Sequence, residues 1–138
     1  MERKEFLKRC VALTAGLACM DLALVGCASL PFVEYAMEGE QAVVKKADFG
    51  EEGFVLLEIE RLPAPVYVTQ TEADAYTAVL LKCTHRGCKV QPAGDILECP
   101  CHGSRYSTTG TRIKGPAPRN LRRYEITTDA EHVRIALS

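Results

Sequence analysis

Two short stretches, CTHRGC at 83–88 and CPCHGSRY at 99–106, contain four of the seven cysteines and two of the three histidines of this 138-residue chain. Together they offer six candidate ligands, whereas a structural zinc site takes four. A disulfide framework would use the cysteines and leave both histidines without a role. A nucleophilic cysteine with a histidine base needs only one of each. The most economical interpretation is that each stretch gives one cysteine and one histidine to a common cluster, while the two remaining cysteines are cross-linked.

The two stretches resemble the Rieske iron–sulfur motif, Cys-x-His-x-Gly-Cys followed by Cys-x-Cys-His-x-Ser, at every fixed position. The resemblance implies one [2Fe–2S] cluster, with two cysteine thiolates on one iron and two histidine imidazoles on the other. The implied ligands are Cys83, Cys99, His85 and His102. The two cysteines left over, Cys88 and Cys101, would form a disulfide. Because neutral imidazoles leave less negative charge around a cluster than thiolates do, the resemblance also implies a protein that accepts electrons readily.

Further positions match the members of this family that take electrons from quinols. Ser104 stands where a serine hydroxyl donates to a bridging sulfide, and Tyr106 stands where a tyrosine donates to the sulfur of the first cysteine. Both donors would favour the reduced cluster and raise its potential. GPAPRNL (115–121) resembles the proline-rich loop that closes over the cluster, so Gly115 and Pro116 are predicted to lie in that covering loop.

The rest of the chain shows a β pattern of short segments rich in Val, Ile and Thr, separated by turn sequences. FVLLEIE (54–60) and YEIT (124–127) alternate as strands with one buried face do. We therefore predict a mostly β fold, a small antiparallel barrel or sandwich, with a loop-rich cluster-binding part at about 83–119. The predicted strand segments are 42–49, 53–60, 64–70, 75–83, 96–100, 122–129 and 132–138.

The first thirty residues have the layout of an export signal, with four basic residues followed by an apolar run. RKEFLK (3–8) resembles the twin-arginine export motif, and LVGC (24–27) resembles a lipobox, which would place a lipid on Cys27. The predicted organisation is an export signal at 1–26, either removed or retained as an anchor, a lipid-anchored linker at 27–41 and the folded domain at 42–138. This layout implies an extracytoplasmic, membrane-attached protein.

We expect one-electron transfer, as the iron–sulfur subunit of a membrane quinol:cytochrome c reductase-type complex. In that interpretation His102 or His85 contacts the quinol and accepts its proton, and cytochromes b and c are the redox partners. One position departs from the usual pattern: Arg86 stands where quinol-oxidising complexes usually have an apolar leucine. The alternatives are a free-standing Rieske carrier, the small subunit of a periplasmic oxidoreductase, or a zinc-binding or disulfide-stapled interaction module.

Charge argues against nucleic acid as a partner. The chain has 17 basic and 18 acidic residues, and its lysines and arginines are spread along the sequence after residue 9. A nucleic-acid surface needs a concentration of cations on one face.

Overall fold

The computed structural model describes residues 29–138, so the predicted export signal and the predicted lipid site at Cys27 lie outside the described part of the chain. Among residues 29–138, no helix has the length and apolar character needed to cross a membrane. The structure is built almost entirely from antiparallel strands, which confirms the predicted fold class. The strands form layered sheets and do not close into a barrel.

Three four-stranded sheets make up the fold. The first sheet has the order β1 (Ala36–Glu38), β2 (Gln41–Lys45), β12 (His132–Ala136) and β11 (Ile126–Thr128). The second has the order β10 (Arg123–Tyr124), β5 (Ala75–Leu80), β4 (Val66–Glu72) and β3 (Phe54–Leu57). The third, which lies within the predicted cluster-binding part, has the order β6 (Gln91–Ala93), β7 (Ile96–Glu98), β8 (Arg105–Ser107) and β9 (Arg112–Lys114).

The second sheet is the middle layer of the molecule. In β3, Val55 and Leu57 pack into a core shared with the first sheet, whereas Leu56 packs into a second core shared with the third sheet. The same division repeats in β4 and β5, because successive side chains of a strand point to opposite faces. The prediction that FVLLEIE has only one buried face is therefore wrong for residues 55–57, which are buried on both sides.

The folded unit begins before the predicted boundary at residue 42. β1 pairs with β2, and upstream of it Phe32 forms a parallel bridge with Leu56. The backbone N–H of Leu56 donates to the carbonyl of Pro31 at 2.9 Å. From about residue 30 onward, the predicted linker is therefore part of the domain.

Other segment boundaries also differ from the predictions. The end of the predicted strand 42–49 is a 3-10 helix, Lys46–Phe49, which carries the buried side chain of Phe49 into the first core. The loop-rich part contains β6, β8 and β9 in addition to the predicted β7. Each of these strands has three residues, which is too short for alternation to be recognised in a sequence.

Candidate metal centre

Two loops with the same backbone hydrogen bonds carry the six cysteines and histidines. In the first, the N–H of Cys83 donates to the carbonyl of Cys88 at 2.8 Å, and the N–H of Gly87 donates to the carbonyl of Cys83 at 2.9 Å. In the second, the N–H of Cys99 donates to the carbonyl of Ser104 at 2.8 Å, and Gly103 donates to Cys99 at 3.1 Å. The two glycines have φ of 78° and 75°, a conformation that other residues adopt at a cost.

The four predicted ligands lie in these two loops, with each cysteine at the start of its loop and each histidine two or three positions later. Cys83 and Cys99 are free thiols, 4% and 1% exposed. The rings of His85 and His102 are 4.7 Å apart between centroids and nearly perpendicular, and His102 is exposed to solvent. Nδ1 of His85 is buried and has no hydrogen-bond partner among the described residues. A buried ring nitrogen without a partner, next to a second imidazole and two buried thiols, fits a metal cluster.

The spacing of the donors argues against a single metal ion. Tetrahedral zinc, with bonds of about 2.0–2.3 Å, would hold its ligand atoms roughly 3.3–3.8 Å apart. Within residues 29–138, the one set of three or more candidate ligand atoms that all lie within 4.8 Å of one another is that of Cys88, Cys99 and Cys101. Cys88 and Cys101 are already joined to each other in a disulfide. No three of the four predicted ligands form such a set in the described part of the chain. Their ligand atoms are therefore spread more widely than one tetrahedral ion requires, which suits a binuclear cluster.

The disulfide between Cys88 and Cys101 confirms the predicted pairing and joins the two loops. The cysteines are 13 positions apart, and their α-carbons are separated by 6.5 Å. Because the loops have little regular structure of their own, this covalent link limits how far the two halves of the donor set can separate.

Tyr106 reaches the donor set from β8, where its side chain is fully buried. Its hydroxyl lies 3.4 Å from Sγ of Cys83, at the predicted position for a donor to that sulfur. It also accepts the backbone N–H of Thr84 at 3.3 Å. The hydroxyl of Thr84 in turn donates to the carbonyl of Arg119 at 2.7 Å, which ties the first loop to the proline-rich loop.

Ser104 connects the second loop to the same proline-rich loop. Its fully buried hydroxyl accepts the N–H of Ala117 at 3.1 Å, which leaves the hydroxyl proton free for another acceptor. Gly115 has φ of 98°, and a Cβ built on it would lie 2.5 Å from the α-carbon of Ser104. Glycine is therefore required for the loop to approach this closely. Pro116 lies in the same loop and is exposed.

Hydrogen bonds and burial act on the two thiols in different ways. Burial alone would raise the pKa of Cys83, but hydrogen bonds from Tyr106, the His85 backbone, Cys99 and Ser104 together hold it below its ordinary value. Burial raises the pKa of Cys99, and the neighbouring Cys83 raises it further. Partial burial lowers the pKa of His85, as do the nearby charges of His102 and Arg86. Burial and the neighbouring Cys83 raise the pKa of Tyr106.

Three supporting residues were not predicted from the sequence. Thr84 stands between two predicted ligands, and that position together with its hydroxyl is a signal that could have identified it. Ala117 is completely buried in the second core and donates its N–H to Ser104. Arg112 donates from Nη2 to the carbonyl of Gly115 at 2.8 Å and from Nε to the carbonyl of Ala117. No local pattern links Arg112 to that loop, because the contacts arise from the turn after β9.

A small β domain in which two cross-linked loops bring together two buried thiols and two imidazoles defines a binuclear iron–sulfur protein. The chain belongs to the Rieske [2Fe–2S] domain family, whose family model matches residues 39–125. As a member of this family it carries one [2Fe–2S] cluster.

Relatives and solved structures support this assignment. The chain is 48% identical over 56 residues to the cytochrome b6-f complex iron-sulfur subunit of Synechococcus sp. (strain JA-3-3Ab), which covers 39% of this chain and 33% of the relative. It is 39% identical over 61 residues to the subunit of the same name from Chlorobaculum tepidum, which covers 43% and 34%. The match thus spans about a third of the length of these curated relatives.

Among solved structures, the cyanobacterial plasma membrane Rieske protein PetC3 from Synechocystis PCC 6803 is similar to this chain. The TM-score is 0.57 and the sequence identity 30%, over 66% of this chain and 93% of the other. The likeness therefore extends over nearly the whole of the solved chain, beyond the two motif loops.

Proposed function

We propose that this protein transfers single electrons through a [2Fe–2S] cluster held by two thiolates and two imidazoles. The proposed ligands are Cys83 and Cys99 on one iron, and His85 and His102 on the other. The observation that carries the proposal is the pairing of two free, buried thiols with two adjacent imidazoles, one of which has an unpartnered buried nitrogen. When bound, the cluster supplies a site that is reversibly reduced by one electron.

The residues around the proposed ligands tune and protect this site. The hydroxyl of Tyr106 is placed to donate to Cys83, and that of Ser104 is proposed to donate to a bridging sulfide; both donors favour the more negative, reduced form. Gly115 and Ala117 bring the proline-rich loop against Ser104 and exclude water from that side. His102 remains exposed, so its outer ring nitrogen is available to accept a hydrogen bond and a proton from a quinol.

The ligand set is tested by measuring the iron and sulfide content of the wild-type protein and of matched variants. The wild-type protein is expected to contain about two irons and two acid-labile sulfides and to show a rhombic paramagnetic signal on reduction. Cys99→Ser and His102→Ala are expected to lose the cluster. His132→Ala is the control, because His132 is the remaining histidine and lies on β12, outside the third sheet. A His102→Ala protein with full iron content and an unchanged spectrum would contradict the proposed ligand set.

We further propose that the electron donor is a membrane quinol, with a cytochrome b-containing complex and a c-type acceptor as partners. This rests on the relatives, two of which are named subunits of the cytochrome b6-f complex. Reduction of the protein by added quinol in membranes that contain the complex, and no reduction in membranes without it, is the expected result. Equal reduction in both membranes would contradict the proposal.

Arg86 favours a second candidate function, that of a free-standing carrier or small subunit of a periplasmic oxidoreductase. Arg86 is exposed beside His85, where an apolar contact would suit docking into a quinol pocket. The rate of quinol-dependent reduction in an Arg86→Leu variant distinguishes the two candidate functions. Faster quinol-dependent reduction in the variant would indicate that the wild-type protein is adapted to another partner. Slower reduction would place Arg86 in productive contact with the quinol complex.

We propose an extracytoplasmic, membrane-attached location, with export directed by residues 1–26 and a lipid on Cys27. The support is the sequence layout and the name of the solved relative as a plasma membrane protein. A tether that lets the domain swing would have to precede about residue 30, because the segment after it is docked on β3. Mass spectrometry of the native N-terminus tests the lipid: an unmodified Cys27 would contradict it.

A further inference from the structure

The fold separates the charged residues into a positive pole and a negative pole, although the net charge of the chain is close to zero. Residues 82–123, which contain both ligand loops and the third sheet, have nine basic and two acidic residues. The remainder of the described chain, 29–81 and 124–138, has four basic and thirteen acidic residues. Although the lysines and arginines after residue 9 are spread along the sequence, most of them lie in the cluster-binding part. The cluster-binding part is strongly positive and the opposite part is strongly negative.

Part of the positive pole forms a cleft that reaches the donor set. The cleft has a volume of about 500 Å³ and is open to solvent, and His85 contributes to its wall. Four cations line it, and its lining includes no acidic side chain. These cations, called here the basic cleft residues, are Lys82, Arg86, Arg119 and Arg122.

The basic cleft residues are not neutralised within the described part of the chain. All four are exposed, and none of them forms a salt bridge there. By contrast, Arg105 in the same subdomain is paired with Glu98 at 2.7 Å, and Arg112 and Arg123 donate to backbone carbonyls. Four unpaired cations in one concave site concentrate the electrostatic field there.

We propose that the basic cleft, which His85 helps to line, is the docking site for an acidic surface of the redox partner protein. Charge complementarity carries this inference: carboxylates of the partner would meet four unpaired cations, while the negative pole would turn away from it. Both effects favour encounters in which the partner meets the cluster end of the molecule. The proposal rests on the proposed electron-transfer function and identifies the chemistry of its partner.

The transfer itself is a simple exchange. One electron leaves the reduced protein and converts the ferric haem iron of an acceptor cytochrome to the ferrous state. The acceptor forms and breaks no covalent bond. The basic cleft residues take no part in that step and act by orienting the partner, which makes them positioning residues.

Charge reversal with a matched control tests the proposal. The probe is an acidic, net-negative c-type cytochrome, used as the native protein for rates and as its redox-inert zinc-substituted form for affinity. Lys82→Glu and Arg119→Glu in the full chain remove charge from the cleft. Lys45→Glu is the control, because Lys45 is an exposed lysine without a salt bridge in the described chain and lies on β2 in the negative pole. Lys82→Glu and Lys45→Glu change the net charge equally.

The expected result is a loss of about tenfold or more, at low ionic strength, in both affinity and second-order transfer rate for the two cleft variants. Lys45→Glu should change neither by more than about twofold, and the wild-type rate should fall steeply as salt is added. Absorption spectra of the oxidised variants verify that the cluster is intact. An equal loss in Lys45→Glu, or a wild-type rate that does not depend on salt, would overturn the proposal.

Two further measurements separate the possible failures. Excess dithionite should reduce all variants to the same final extent, and a small neutral acceptor should reoxidise all of them. If they fail in the wild-type protein, the electron-transfer function itself is wrong. If the wild-type protein sediments with anionic lipid vesicles and Lys82→Glu does not, while transfer to the acidic cytochrome is unchanged, the cleft binds a membrane surface and the proposal is overturned.

Discussion

The hydroxyl of Tyr106 has two neighbours that could receive its proton, Sγ of Cys83 at 3.4 Å and Oγ1 of Thr84 at 3.3 Å. Thr84 already gives its own proton to the carbonyl of Arg119, so its oxygen is able to accept. A ligand thiolate carries negative charge, and hydrogen bonds to ionised acceptors are the stronger ones. Tyr106 is therefore expected to donate mainly to Cys83 when the cluster is bound.

Tyr106→Phe is expected to lower the midpoint potential. One hydrogen bond of about 0.5–1.5 kcal/mol that acts on the reduced form corresponds to about 20–65 mV for a one-electron couple. Tyr124→Phe is the matched control, because the buried hydroxyl of Tyr124 has no partner in the described chain and lies in the first core. Potentiometric titration of both variants checks the prediction. A Tyr106→Phe potential equal to that of the wild type would show that the hydroxyl donates elsewhere.

Gly115→Ala is expected to destabilise the proline-rich loop. The new Cβ would meet backbone atoms of Ser104 at 2.5 Å and 3.0 Å, so one of the two loops must move. Together with the positive φ, the cost should reach about 2–3 kcal/mol or more in the free energy of unfolding. Gly94→Ala is the control: it has φ of 67° and no atom within 4 Å of the added Cβ, so it should cost about 1 kcal/mol. Denaturant unfolding of both variants measures the difference. Equal losses in the free energy of unfolding would mean that Ser104 can move away from the added Cβ at little cost.

At the scale of elements, the two ligand loops depend on their cross-link more than on regular structure. Removing it in Cys88→Ala/Cys101→Ala is expected to lower the free energy of unfolding by about 3 kcal/mol, the chain-entropy value for a loop of this length. The double variant is required because Sγ of Cys99 lies within 4.8 Å of both disulfide sulfurs, so the free thiol left by a single substitution could compete with Cys99 as a metal ligand.

The disulfide prediction is checked by denaturant unfolding and by the rate at which the cluster absorbance is lost. Dithiothreitol should weaken the wild-type protein and have little further effect on the double variant. If the double variant is as stable as the wild type, the sheets alone hold the loops together.

The hairpin of β11 and β12 supplies a pH-dependent contribution to stability. Asp129 accepts the N–H groups of Glu131 and His132 and pairs with Arg134. The Arg134 hydrogen bond is the main cause that holds the pKa of Asp129 far below its ordinary value, and the two backbone N–H groups add to it. A lowered native pKa means that the contribution is complete well above pH 4 and declines as the pH falls below the unfolded value.

Asp129→Asn should therefore melt at a lower temperature than the wild type at pH 7, and the difference should shrink below about pH 4. The effect should be small, because the pair is exposed and screened by solvent. Thermal unfolding between pH 3 and 7 measures it. A difference in melting temperature that grows as the pH falls would contradict a stabilising role for the Asp129 carboxylate.

Most of the ligand loops could be predicted from the sequence, whereas much of the sheet pairing could not. The resemblance to the Rieske motif implied the disulfide, and it could be recognised because both loops are local structures. β2 pairs with β12, about ninety positions away, and nothing in either segment indicates the other. β1 lies in the predicted linker because the segment around it, EYAMEGEQ (34–41), is polar and shows no strand pattern. The contacts of Thr84 and Arg112 with the proline-rich loop depend on tertiary placement, which no motif encodes.

At the scale of the whole molecule, the middle sheet links the first sheet to the third sheet, which lies in the cluster-binding part. Leu56 and Tyr67 face the second core while their neighbours in the same strands face the first, so the two layers share β3 and β4. The charge separation is present in the sequence as a basic block at 82–123. It becomes recognisable only when the fold shows that this block contains both ligand loops and the whole third sheet, whereas most of the other two sheets belongs to the negative pole.

The two poles predict that ion-exchange behaviour will follow local charge instead of net charge. The full chain has a formal net charge of −1 at pH 7, yet it should bind a strong cation exchanger through the cleft side. Beyond about 10 Å at 0.1 M salt the negative pole is largely screened, so it opposes this binding only weakly. Lys82→Glu should elute at clearly lower salt than the wild type, and Lys45→Glu, with the same net charge, should elute close to it. Salt-gradient elution of the three proteins measures this difference, and identical elution of the two variants would show that net charge alone governs the binding.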